Sequence, residues 1–354
     1  MLMYSWQSEY CRFMWGSKML PLKDISLYVY ITFYFDDKSS TDQKNKRLKY
    51  LAELLLHLSY ISVKNLHVKI FTNNSEEYVF NTTKPIKARN SANCTVEIFE
   101  ISNDSLINDE GMFEPHLLTW KHKSVLSHDV SKAQKNSYFV YLEDDAIFTE
   151  ANLIYFIEHR RKLGIHGLIP SFLRAEWNDD NSEWINSDSF ERLPIISQCH
   201  LEIDSDTKYV EVKNPYCALI LLDLELAIEY IESDSSKLKP AKYKHDFIWD
   251  TAATAALGLI SEKIPQGRSS RTVIGFGSRS SLPLIGSVIR HQGDRYANEI
   301  WWRHFRLFED HSKNNLPIPK RSFLEKIKRV SGDPKRIFGL VKNFGTFTNF
   351  RLKS

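Results

Sequence analysis

Three consecutive carboxylates, Glu143, Asp144 and Asp145, interrupt an apolar run that extends from Tyr138 to Phe148, YFVYLEDDAIF. Adjacent acids are costly unless something positive neutralises them, and a divalent cation does so economically. Mg²⁺ and Mn²⁺ take oxygen ligands from one or two carboxylates and complete their shell with water and substrate phosphates. Other groups with the right chemistry lie far away in the chain. Asp36 and Asp37 close an earlier apolar run, and Lys121 and His122 follow Pro115. Asp246 and Asp250 precede the Ala-rich stretch TAATAALGLI, while His291 closes an apolar start to SVIRHQGDRY with Gly293 and Asp294 behind it. A cation among Thr119, Lys121, His122 and Lys123 would meet a diphosphate held near the acids; otherwise these residues form a solvated basic face. Asp246 and Asp250 either cap a helix N-terminus or accept a proton. His291 is either structural or a neutral imidazole ligand.

These groups need a scaffold that brings them together. The run ending at Glu143 suits a strand buried on both faces, as in the middle of a parallel sheet, and ligands bind at the carboxyl ends of such strands. Ile25 to Phe35 reads as a buried strand, Arg47 to Tyr60 as an amphipathic helix with Lys46, Arg47 and Lys49 facing water, and Leu66 to Phe71 as a second strand. Strand, helix, strand is a right-handed parallel βαβ unit. Val96 to Ile101 fits a third strand, and Pro115 suits the start of a helix running to Val130. Beyond the acids, Ala151 to Leu163 is helical, ended by Gly164 and Gly167, and Leu168 to Arg174 is a short strand. Ala175 to Cys199 has little periodicity and is expected to be a long loop over the site, with Trp177 and Trp184 either stacking on a sugar ring or anchoring the loop. Tyr209 to Leu222 supplies one or two strands, and Asp223 to Ile231 a helix.

At 354 residues, 42% hydrophobic and 26% charged, the chain fits a soluble globular protein with a large core, as one large domain with additions or two closely joined ones. Four dispersed cysteines without CxxC point neither to zinc nor to a dense disulfide framework, so a reducing compartment is expected. No transmembrane run and no basic-then-apolar signal peptide is read. The sequons at Asn73, Asn81, Asn93 and Asn103 pull towards a secretory lumen, but without an entry signal the cytoplasm is the expected location. From Ile318 onward, ten Lys or Arg face only Glu325 and Asp333, with apolar residues interleaved. This segment is either a solvated or self-packed tail, or a set of amphipathic helices lying on an anionic membrane surface, which would make the protein peripheral to it. No nucleic-acid motif, no P-loop and no dinucleotide fingerprint occurs, Gly275-Phe276-Gly277 being too short a match.

The βαβ start, the buried strand ending in Glu-Asp-Asp, the later acidic helix start and the His-x-Gly near residue 291 together resemble the GT-A family of nucleotide-sugar-dependent glycosyltransferases. The Glu143-Asp144-Asp145 tripeptide, within LEDD, is similar to a variant of that family's D-x-D motif. The resemblance implies a Rossmann-like α/β fold with a mixed, mainly parallel central sheet flanked by helices over residues 25–310, split at 145 into nucleotide and acceptor halves. Residues 1–24 would be an N-terminal extension, and 311–354 a basic helical one. It further implies a divalent cation, Mn²⁺ or Mg²⁺, bound by Asp145 and completed by His291. Glu143 and Asp144 would contact metal-bound water or the donor, Asp37 with Asp36 the nucleobase and ribose, and Asp250 or Asp246 would be the base if the transfer inverts, whereas a retaining transfer needs neither. The implied partners are a nucleotide-sugar donor of hexosyl or N-acetylhexosaminyl type and a glycan or lipid-linked acceptor, as in envelope polysaccharide assembly. Three alternatives use similar parts. A haloacid-dehalogenase-like phosphatase needs an Asp nucleophile where Glu143 stands; a metal-dependent nucleotidyltransferase needs only carboxylates, cation and phosphates; a carbohydrate-binding protein of the same fold needs no catalysis.

Overall fold

The computed structural model describes residues 22–36, 38–74, 77–89, 93–178, 183–186, 200–211, 216–245, 249–278 and 282–293. Asp37, Asp246, Asp294, most of the N-terminal extension and the whole basic tail lie outside the described residues. Two compact units divide the chain, Met1–Asn314 and Asn315–Ser354, and all that follows concerns the first.

In chain order the elements are β1 (Ser26–Phe33), α1 (Thr41–Leu58), β2 (Asn65–Thr72), α2 (Glu77–Arg89), β3 (Cys94–Glu100), α3 (His122–Lys132) and β4 (Ser137–Glu143). Next come β5 (Ala146–Ile147), α4 (Glu150–Leu163), β6 (Ile169–Pro170), β7 (Leu173–Asn178), β8 (Glu183–Asn186), β9 (His200–Glu202), β10 (Thr207–Val210) and β11 (Leu219–Asp223). The last are α5 (Leu224–Glu232), α6 (Leu238–Lys244), α7 (Thr251–Ala255), β12 (Thr272–Gly277) and β13 (Val288–His291). The result is a mixed α/β fold with a mainly parallel central sheet flanked by helices, as expected. That sheet has the order β11-β4-β1-β2-β3, and only β11 runs antiparallel.

The period-2 alternation of a strand explains why the sheet buries both faces. Leu27, Val29, Ile31, Val68, Ile70, Val140 and Leu142 share one face, all buried, and Phe156 of α4 meets Tyr138 there edge-on. The opposite face carries Tyr28, Tyr30, His67, Lys69 and Tyr141, and it is polar because α3 answers it. Asp129 of α3 accepts 2.8 Å bonds from Lys69 Nζ on both oxygens and a 2.6 Å bond from Tyr30. Helix α1 starts at Ser40, which forms a capping box with Gln43, and buries Leu51, Leu54, Leu55 and Leu58. Each such leucine contributes about 2 kcal/mol relative to exposure. Two smaller sheets, β6-β12-β10-β9 and β5-β13-β7-β8, extend the fold beyond the acids.

Three sequence expectations change here. Of the loop expected from Ala175 to Cys199, the described residues are instead strands, β7 paired antiparallel with β8, while 179–182 and 187–199 lie outside the described residues; Trp177 and Trp184 are cross-strand partners, packed edge-to-face 5.3 Å apart. The Pro115 helix opens as a 3-10 segment, Pro115–Trp120, before α3. The Ala-rich helix is only five residues long, ended before Gly258, which sits at φ +60° in the left-handed region.

His159 of α4 shares a buried 2.6 Å hydrogen bond with the Tyr209 hydroxyl of β10. Burial first, and Lys162 second, push its pKa down to about 4 from 6.5, against Asp204. The unfolded chain therefore takes up this proton first. Stability is expected to fall as pH drops through 6.5 and to level near 4, by up to about 3 kcal/mol at about 1.36 kcal/mol per unit. Denaturant melts at pH 7 and pH 4.5 should show a smaller drop in His159→Gln than in the parent; equal drops would contradict the assignment.

Candidate functional site

The carboxyl ends of β1 and β4 lie side by side, Thr32 opposite Glu143. Beyond β4 the chain turns at Asp144 and Asp145 before β5 and the Thr149 cap of α4. Two backbone anchors fix this acid turn. Glu143 N–H donates to Ala218 O at 3.2 Å, and Gln292 N–H donates to Asp145 O at 2.7 Å. Ala218 holds its carbonyl there from a left-handed backbone, φ 59°, a strained position for a residue with a Cβ.

Four elements aim side chains at the turn. From α1, Arg47 donates to Asp144 Oδ1 at 2.6 Å and lies 3.9 Å from Asp145 Oδ2. From β13, His291 Nε2 is 3.1 Å from Asp145 Oδ2, and its Nδ1 is 2.7 Å from Glu176 of β7, which is wholly buried. Gly293 makes room for that ring: a Cβ there would come within 2.5 Å of His291 Cε1. Before β11, Tyr216 donates to Glu143 at 2.7 Å, and the Arg174 guanidinium of β7 lies over the Tyr216 ring at 4.9 Å. β13 is stapled to α1 by Arg290 to Glu53 at 2.7 Å and by Gln292 Nε2 to Tyr50 O at 3.0 Å.

Four carboxyl groups, Glu143, Asp144, Asp145 and Glu176, thus face three cations, Arg47, Arg174 and His291. Burial, then Asp145, pushes Glu143 up to about 7. Asp144 is also pushed up to about 7 by burial, with Arg47 opposing. At Asp145 burial works the same way, but His291, Arg47 and Arg174 outweigh it and hold the group below the ordinary carboxylate range. His291 is raised to about 9, burial and Arg174 being overcome by Asp145 and Glu176. Burial thus disfavours the ionised form of Glu143 and Asp144, which added positive charge would favour.

One observation fits the cation that the family resemblance implies. Asp144 Oδ2 and Asp145 Oδ1 are buried without a hydrogen-bond partner, a costly arrangement unless something else meets them. Among the described residues, no group of three or more His, Cys, Asp or Glu is placed to hold a metal ion by itself. One or two carboxylates supplemented by water and phosphate are what Mg²⁺ or Mn²⁺ accepts. The acids open onto a cavity of about 440 Å³, lined also by Thr32, Tyr34, Asp36, Arg47 and His116, within the ordinary size of ligand pockets.

The structure brings together Glu143, Asp144, Asp145 and His291. It does not bring Lys121 or His122 to them. Lys121 donates to Ser105 O at 2.7 Å and is absent from the cavity wall. His122 is fully buried and stacked on Tyr141 at 4.2 Å, burial holds its pKa well below 6.5, and it is absent from the cavity wall. His291, expected as a metal ligand, lies against the acids with both ring nitrogens on carboxylates, Nε2 on Asp145 and Nδ1 on Glu176. Asp250 caps α7, accepting from Ala253 N–H at 2.7 Å, and Ala252 beside it lines the cavity.

Four contributors were missed: Arg47, Arg174, Glu176 and Tyr216. Arg174 and Glu176 carried a signal, two charges at period 2 flanking Ala175 after an apolar start, the mark of a strand face turned to a polar interior. Arg47 carried none, since its helical position looked solvent-facing.

The chain matches no family model and no curated protein. Among solved structures it is similar to mouse xyloside xylosyltransferase 1 in its apo form, at 11% identity and a TM-score of 0.37, covering 66% of this chain and 81% of that one. It is also similar to the apo bifunctional glycosyltransferase WbbM, at 11% identity and TM-score 0.31, covering 64% of this chain and 36% of that one. A third is the galactosyltransferase LgtC in complex with donor and acceptor sugar analogs, at 12% identity and TM-score 0.29, covering 65% and 70%.

Proposed function

We propose that the chain is a glycosyltransferase that moves a sugar from a nucleotide-sugar donor to a glycan or glycolipid acceptor, with a divalent cation and inversion at the anomeric carbon. One observation carries the proposal: Asp144 and Asp145, at the carboxyl edge of a parallel sheet, line a cavity of about 440 Å³ and each keeps one buried, unpartnered carboxylate oxygen. Asp145 and Asp144 would hold the cation, which when bound supplies charge to a departing diphosphate without proton transfer. The chain's own residues do the rest. Glu176 fixes His291, and His291 with Arg47 keeps Asp145 ionised. Thr32, Tyr34 and Asp36 line the wall where the donor's nucleoside would lie. In the transfer, the acceptor oxygen forms its bond to the anomeric carbon as the bond to the diphosphate oxygen breaks, and the electron pair leaves with the diphosphate. The acceptor proton passes to a carboxylate; Asp250, exposed and next to the cavity-lining Ala252, is the candidate base.

A panel of nucleotide sugars with Mn²⁺ tests this. Binding of the right donor should raise the melting temperature and be followed by slow, Mn²⁺-dependent release of nucleoside diphosphate. Release of pyrophosphate from a nucleoside triphosphate would point instead to a nucleotidyltransferase. No response to any donor would overturn the proposal.

A further inference from the structure

The acid turn already holds a cation of the protein's own making. Arg47 bonds Asp144 Oδ1 and approaches Asp145 Oδ2, yet its side chain is 38% exposed while that of Asp144 is 4% exposed. The guanidinium thus stands between buried acids and the cavity that both line. It does not complete the site, because Asp144 Oδ2 and Asp145 Oδ1 keep no partner. A single charge spread over a planar fork cannot serve both carboxylates fully, whereas a compact divalent ion meets several oxygens at once. The helix beneath Arg47 is fixed by the staples from Arg290 and Gln292, so exchange would need only the side chain to move.

We propose that Arg47 is an exchangeable counter-ion: it holds the acid turn when no divalent cation is bound, yields Asp144 and Asp145 when one arrives, and turns to the diphosphate of the donor in the same cavity. The inference rests on the transferase assignment and deepens it. Its logic is competition followed by recruitment. Arg47 meets Asp144 Oδ1 and approaches Asp145 Oδ2, so a cation on the remaining oxygens of the same two carboxylates would face a like charge at close range, and Arg47 lowers the affinity for a cation on its own. A diphosphate offers the fork a bidentate partner, which removes that competition. By reciprocity, cation and diphosphate then strengthen each other's binding.

Two titrations on the full chain test this, Mn²⁺ alone followed by electron paramagnetic resonance, and inorganic pyrophosphate in excess Mg²⁺ followed by calorimetry. Arg47→Gln should bind Mn²⁺ about fivefold more tightly than the parent and pyrophosphate about tenfold more weakly, given what charge-assisted hydrogen bonds contribute at a part-exposed site. Arg47→Lys, which keeps the charge, should return Mn²⁺ affinity towards the parent value. Loss of a merely structural contact would weaken both ligands together. Parallel shifts, or no shift in either, would therefore overturn the inference while leaving the transferase assignment standing. A parent protein that binds neither Mn²⁺ nor pyrophosphate would overturn both.

Discussion

Asp145→Asn is expected to lower cation-dependent release of nucleoside diphosphate at least about a hundredfold, on the scale of losing one preorganised electrostatic group in an active site. The substitution keeps the side chain's shape, and the anchor from Gln292 is to the Asp145 backbone, so the turn should stay in place. What changes is charge. Asn cannot pair with His291 as an ion, and it offers a cation a neutral amide oxygen in place of a carboxylate. Because the cluster holds four carboxyl groups against three cations, removing one acid also relieves repulsion at Glu143, whose shift owes part of its size to Asp145. That relief offsets only part of the loss of the buried pair with His291, so unfolding stability should fall by about 2 kcal/mol, less than the full cost of breaking a buried ion pair. Rates measured at several Mn²⁺ concentrations, beside a denaturant melt, separate the two effects. A variant with more than a tenth of parental activity at saturating Mn²⁺ would remove Asp145 from the proposed role.

The largest expected effect on folding lies elsewhere. Lys69 and Asp129 are each about nine-tenths buried at the side chain and bonded at 2.8 Å, with Tyr30 donating to the same carboxylate. Asp129→Ala leaves the Lys69 ammonium only the longer pair to Glu97 at 3.8 Å and strands the Tyr30 hydroxyl under α3, which should cost about 3 kcal/mol. Replacing both charges, as Lys69→Met with Asp129→Leu, should cost less than the single change, because the ammonium goes with its partner and only the Tyr30 hydroxyl loses its acceptor. Urea midpoints of the three proteins check this; a single-mutant loss under about 1 kcal/mol would show that water or another group reaches Lys69.

Much of the frame was legible because it depends on local pattern. Continuous apolar runs with period-2 faces produced β1, β2 and β4, and leucines at helical spacing produced α1. The acids were legible as chemistry because three in a row at a strand end have few other reasons to be there. Partners brought by topology were not legible. Nothing near Glu176 in the chain says that β7 will pair with β13 and meet His291. Nothing near Arg47 says that its helix will carry it to the carboxyl edge of β4. His122 was misread for the complementary reason: a basic residue early in a helix looks like a ligand until its helix packs that turn against Tyr141. Period alone likewise missed the β7–β8 pair, whose polar residues hid two short strands.

The staples between α1 and β13 bear on how the protein comes into being. Glu53 and Arg290 are 237 positions apart, and Tyr50 and Gln292 are 242 apart. At about 5–20 residues per second, the ribosome would release the second partner of each pair tens of seconds after the first. The early strands and helices can gather in that interval, but the acid turn then lacks His291, its anchor from Gln292 and the ties that steady Arg47. A chain released before residue 290 would carry all three acids and no finished site, so truncated products should be inert as well as unstable.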